Sequence, residues 1–192
     1  NYTSVHVDSN GFLMFETNPT ATSTCHSGFA CYSGSKIPST TRTPHNVIAP
    51  WWSDHEGAPT DWPFGTTNPP TTTPVPGAIH YKQGSGEMEI EWSGWYKYSG
   101  YYAYTVKVKL TASGLFQIHY GPITSISSTT SGATVGFEDS TGANGAAILT
   151  CAATAASCQS TNFPTDTLVT VGQPVQPDLV VTAVNASNLV VL

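Results

Sequence analysis

Residues 78–95 read AIHYKQGSGEMEIEWSGW, and the alternation within them decides the fold. Met88, Ile90 and Trp92 fall on one side, while Glu87, Glu89 and Glu91 fall on the other. A period of two sends successive side chains to opposite faces of a strand, whereas a helix repeats its apolar residues every three or four positions. Gly84–Ser85–Gly86 supplies a turn, so the stretch predicts a β-hairpin.

The same pattern extends outward in both directions. YYAYTVKVKL at 101–110 alternates, with Lys107 and Lys109 outward and Val106, Val108 and Leu110 inward. A carboxylate ladder opposite those lysines reads as cross-strand charge pairing rather than as a glycosidase pair. ASG then turns the chain into LFQIHYG, and TSVHVDSNGFLMFE near the start carries Asn10–Gly11, a strong hairpin signal. NVIAP, ATVGFED, AAILT, DTLVTV and DLVVTAV complete the strand signals. The Ala-rich stretch from Ala146 to Ala156 carries no helical stripe. The expected fold is all-β: an antiparallel β-sandwich, jelly-roll or Ig-like, of about eight to eleven short strands.

Composition narrows the setting. Charged residues make up 9% of the 192, against about 25% in ordinary globular domains. The formal net charge is −6 with six Lys+Arg scattered singly, so no basic patch exists for nucleic acid. No apolar run approaches the roughly 20 residues of a membrane span. Thr, Ser, Gly and aromatics dominate instead, a profile that suits a secreted, extracellular or cell-surface β protein.

The four cysteines fall as two close pairs, Cys25/Cys31 and Cys151/Cys158. Two local disulfides are the simplest pairing in an oxidising compartment. A four-cysteine zinc site is the rival, but its usual ligand spacing is missing from both pairs. Residues 58–77 hold six prolines and predict a long loop. Residues 1–172 are read as one domain and 173–192 as a linker plus an apolar tail. Leu179, Val180, Val181, Val184, Leu189, Val190 and Val191 would form a strand lent to another copy, or open a further module.

NVIAPWWSDHEG at 46–57 concentrates the candidate chemistry. Asp54 and Glu56, joined by Glu138, are the candidate Ca²⁺ ligands, although no regular calcium-loop spacing occurs. His55 with His45 or His80 is a zinc alternative that needs three or four converging ligands. The competing reading has Asp54 accepting from turn amides. Trp51 and Trp52, or the hairpin aromatics Trp95, Tyr96 and Tyr98, are candidates for stacking on glycans or for subunit packing. No G-x-S-x-G occurs, which removes the serine-hydrolase reading.

SNGFLMF, NVIAPWW with its following Asp54, IEWSG, LFQIHYG and TVGFED occur in that order. Together they resemble the successive motifs of nidogen-like extracellular domains, of the kind found in secreted and surface-anchored proteins of myxobacteria. The resemblance covers roughly residues 5 to 171, and His55–Glu56 departs from it where hydrophobic residues often follow the aspartate. The tail PDLVVTAVNAS is similar to the opening of CARDB-type Ig-like adhesion modules. The resemblance implies a non-catalytic structural or adhesive protein, with other copies of itself or extracellular and cell-surface components as partners. A carbohydrate-binding module and an accessory domain of a larger secreted enzyme are the alternatives.

Overall fold

The computed structural model describes residues 3–15, 37–41, 44–56, 77–97, 103–124, 133–151, 166–172, 181–185 and 189–191. The described residues form thirteen strands and no helix. In chain order they are β1 (His6–Asp8), β2 (Phe12–Met14), β3 (Val47–Trp52), β4 (His55–Glu56), β5 (Ala78–Gly84), β6 (Glu87–Lys97) and β7 (Ala103–Thr111). Then follow β8 (Phe116–Thr124), β9 (Ala133–Glu138), β10 (Gly145–Cys151), β11 (Thr167–Val171), β12 (Val181–Asn185) and β13 (Leu189–Val191). Two compact units result, the first built from residues 1–56, 97–100 and 127–163, the second from 57–96, 101–126 and 164–192. The proline-rich stretch, Cys25, Cys31, Cys158 and Tyr98 lie outside the described residues, as do the side chains of Cys151, Glu56 and Tyr96.

In the first unit the strands run antiparallel in the order β1-β2-β3-β9-β10. β3 is central, and all six of its residues, VIAPWW, are buried. Such a continuous apolar run is what a strand covered on both faces needs. Its proline is accommodated by a bulge. Ala49 faces Gly136 and Trp52 faces Thr134, so Pro50 and Trp51 together oppose Val135. Proline cannot donate to a ladder and is tolerated at such irregularities. The extra residue reverses the side-chain alternation. Trp52 therefore joins Val47 and Ala49 in one cluster with Phe12, Met14 and Ile37. Phe12 and Trp52 lie 4.6 Å apart by ring centroid.

The second unit's strands lie in the order β13-β12-β11-β8-β7-β6, each hydrogen-bonded to the next, with β5 also pairing with β6. The alternation of the sequence fixes which face is buried. Ile90, Val108, Ile118 and Val169 stand opposite one another across four strands, none more than 1% exposed. Trp92, Val106 and Tyr120 form the next row, and burial pushes the Tyr120 phenol well above its ordinary pKa. Full burial of each such apolar side chain contributes about 1.5–3 kcal/mol.

The other face carries the charges. Lys109 Nζ lies 2.7 Å from Glu87 and Lys107 Nζ lies 3.6 Å from Glu91. The hydrogen bond from Lys109 holds the Glu87 carboxyl below its ordinary pKa. The glutamate ladder is thus cross-strand pairing, as its spacing predicts.

A bulge also decides the place of Trp95. Trp92 faces Val106 and Trp95 faces Tyr104, so Ser93–Gly94 is one residue too many for β7. Gly94 takes φ +57° and donates from its amide to Thr105 Oγ1 at 3.1 Å. The offset carries Trp95 onto the buried face beside Tyr104, correcting the expectation that Trp95 is exposed.

The tail strands are paired within the chain. In this single chain β12 pairs with β11 over five positions, and β13 pairs with β12. Val181, Val184, Leu189, Val190 and Val191 thereby extend their own sheet, while Leu179 and Val180 lie outside the described residues.

Candidate functional site

The chemistry-bearing residues of NVIAPWWSDHE sit at the two ends of β3. At its C-terminal end they meet the β1–β2 turn. Asp8 Oδ1 accepts from the Asn10 amide at 2.8 Å, and the Gly11 amide donates to the Asp8 carbonyl at 3.2 Å. This tight turn then receives the chain leaving β3. Trp51 and Ser53 donate from their amides to the Gly11 and Asn10 carbonyls at 3.2 and 3.1 Å. The His55 amide donates to Asn10 Oδ1 at 3.0 Å. Gly11 has φ +79°, and a Cβ there would lie 2.1 Å from the Trp51 carbonyl oxygen. Trp51 and His55 meet edge to face at 6.1 Å, both buried. The role of Asn10 and Gly11 is to anchor the WWSDHE segment, which leaves Asp54 half-buried beside it.

At the N-terminal end Glu138 stands opposite Val47. Its carboxylate is 2% exposed and fully engaged. Oε2 accepts from the Ser39 amide at 2.9 Å, and Oε1 lies 2.9 Å from His45 Nδ1. Next to it, residues 139–144 form a turn around a second carboxylate. Asp139 accepts from Asn144 Nδ2 at 2.7 Å, from Thr141 Oγ1 at 2.8 Å and from the Thr141 amide at 3.0 Å. The Asn144 side-chain bond, then that of Thr141, holds the Asp139 carboxyl far below the usual carboxylate range. Gly142 presses this turn onto the loop below, since a Cβ there would lie 2.1 Å from the Ser39 carbonyl oxygen and 2.6 Å from His45 Nδ1.

Of the candidate calcium ligands, the structure keeps Glu138 apart from Asp54. Seven residues separate Val47, beside Glu138, from Asp54, and seven residues of extended chain span on the order of 20 Å. His45 and His55 are parted in the same way, and His80 belongs to the other unit. Among the described residues no group of three or more His, Cys, Asp or Glu is placed to hold a metal ion.

The glycan-stacking reading of the tryptophans is corrected as well. Trp51 and Trp52 are each 1% exposed and Trp95 is 7% exposed, so none presents a ring to a sugar. The sequence reading missed the use of Glu138, because its partners lie 93 and 99 positions away. The Asp139 turn was within reach: an aspartate with a threonine two positions on signals a side-chain-capped turn.

Two antiparallel sheets whose Glu138 and Asp139 carboxylates are engaged by groups of the same chain define an all-β module. The chain belongs to the NIDO-related family, which it matches over residues 1–181. The nidogen-like resemblance of the five motifs therefore holds at the level of the family. No curated protein and no solved structure matches the chain.

Proposed function

We propose that the chain is an extracellular structural module of an adhesive or matrix-building kind, without catalysis of its own. The carrying observation is the use of Glu138. The one buried carboxylate among the described residues lies in TVGFED and is engaged by the Ser39 amide and His45, which leaves it no oxygen for a substrate. Family membership supports the extracellular setting. The partners in this reading are other copies of the chain or components of a matrix or cell surface. Cys25–Cys31 and Cys151–Cys158 disulfides belong to the same proposal, and a non-reduced peptide map tests them. A bacterial surface setting rests on the sequence motifs alone. The pairing of β12 with β11 favours the tail as part of this module over the first strand of another.

The test is direct. Immobilised protein is exposed to a soluble second copy and to matrix and cell-surface preparations, and bound mass is read. Saturable binding to one of them is expected. No binding, together with turnover of any glycan or peptide substrate in a parallel activity screen, would overturn the proposal.

A further inference from the structure

The chain holds two Asn-Gly pairs, Asn10–Gly11 and Asn144–Gly145. Asparagine is among the thermolabile residues. A following glycine adds to that lability, because without a Cβ its amide nitrogen can approach the asparagine side-chain carbonyl carbon.

The structure gives the two pairs opposite surroundings. Gly11 is buried, its N–H is committed to the Asp8 carbonyl, and Asn10 Oδ1 is held by the His55 amide. Asn144 is exposed. Its carbonyl accepts from the Asp139 amide at 2.9 Å, which makes Asp139–Asn144 a hydrogen-bonded position of the β9–β10 hairpin. Hydrogen-bonded and non-bonded pairs alternate along an antiparallel ladder. The next pair, Glu138–Gly145, is therefore non-bonded, and the Gly145 N–H points away from β9. It faces the outer side of β10, the last strand of its sheet among the described residues.

We propose that Asn144 is a site of spontaneous deamidation in the folded protein and that Asn10 is protected. The Gly145 nitrogen attacks Asn144 Cγ, a C–N bond forms, ammonia leaves, and a succinimide results. Water then opens the ring at either carbonyl to give aspartate or isoaspartate.

Both members of the labile pair are imposed by the turn. A Cβ on Gly145 would lie 2.1 Å from the Phe137 carbonyl oxygen, and Asn144 is the side chain that donates to Asp139 Oδ2. Deamidation replaces that donor with a second carboxylate facing the first. The turn it loosens is the one Gly142 packs onto Ser39 and His45, so the change reaches both partners of Glu138.

The experiment incubates the intact protein at mildly alkaline pH and follows both peptides by mass spectrometry, with a parallel sample in concentrated urea. In the folded protein Asn144 converts at least about tenfold faster than Asn10, since Asn144 has only exposed bonds to Asp139 to release, whereas Asn10 precedes a buried Gly11 whose N–H is committed to the Asp8 carbonyl. In urea the two rates converge. Equal rates in the folded protein, or an Asn144 as persistent as Asn10, would overturn the assignment. Asn144→Asp, made directly, is expected to lower the urea midpoint, and an unchanged midpoint would refute the loosening of the turn.

Discussion

His45 Nδ1 and Glu138 Oε1 lie 2.9 Å apart across 93 residues of sequence, and the Ser39 amide completes the carboxylate's shell. A buried carboxylate that loses a partner retains its desolvation cost, which makes removal costly where a surface pair would matter little. His45→Ala and Glu138→Gln are each expected to destabilise the protein by about 1.5–3 kcal/mol in urea unfolding. The double variant is expected to lose less than the sum, because both remove the same contact. Losses of less than about 0.5 kcal/mol in both single variants, the range of neutral surface changes, would mean that this pair does not hold the loop.

That pair also marks where the sequence stops being legible. The hairpins at Asn10–Gly11, 84–86 and 112–114 are readable because turn residues and a period of two are local signals. Pro50 marks an irregularity in β3, which runs on through it to Trp52. What it could not announce is the consequence, since a bulge of one residue reverses which side chains face inward. Two adjacent tryptophans in a regular strand would point to opposite faces, and a Trp95 three positions after Trp92 would oppose it. The bulges at Pro50–Trp51 and Ser93–Gly94 place Trp52 and Trp95 on their buried faces instead. Register is a property of two strands, and neither strand encodes it alone.

Gly11 and Gly86 share a positive φ but differ in their surroundings, and the difference is testable. Gly11→Ala meets both the left-handed backbone and the Trp51 carbonyl oxygen at 2.1 Å. The expected cost is about 2–5 kcal/mol, from roughly 1–2 of backbone strain and 1–3 of overpacking. For Gly86→Ala the nearest atom is the Ala112 Cβ at 3.7 Å, so the backbone strain of about 1–2 kcal/mol stands alone. Thermal unfolding of the two variants side by side decides the point. Equal losses would mean that the β1–β2 turn does not press on β3 as described.

The Asp139 turn predicts a pH dependence of definite sign. A carboxyl whose pKa is depressed in the folded state stabilises the protein fully above the unfolded value, about 3.9. The contribution fades as pH falls below that value and is gone once the folded carboxyl itself protonates. Asp139→Asn should therefore lower the melting temperature at neutral pH, and the gap to the native protein should close as the solution is acidified below about pH 4. A gap that is constant from pH 7 down to strongly acidic solution would assign the loss to shape rather than to charge.

β12 covers the outer edge of β11, and removing it should convert a paired edge into an open one. Thr167–Val171 reads TLVTV, with no proline, no lysine and Val169 and Val171 already buried on the apolar face. An edge of that composition has none of the features that normally block strand addition. A chain ending at Gly172 is therefore expected to self-associate in a concentration-dependent way in sedimentation velocity, and more strongly than the full chain. A peptide of residues 178–192 should reverse the association by restoring the strand. Thr170→Lys in the shortened chain should suppress it too, since it puts a charge on the open edge without touching the buried valines. If the shortened chain stays monomeric and unfolds at the same urea concentration as the full chain, β12 contributes nothing to the sheet. Association through this edge would instead give the proposed assembly a route, with the in-cis tail as the competitor that another copy's strand must displace.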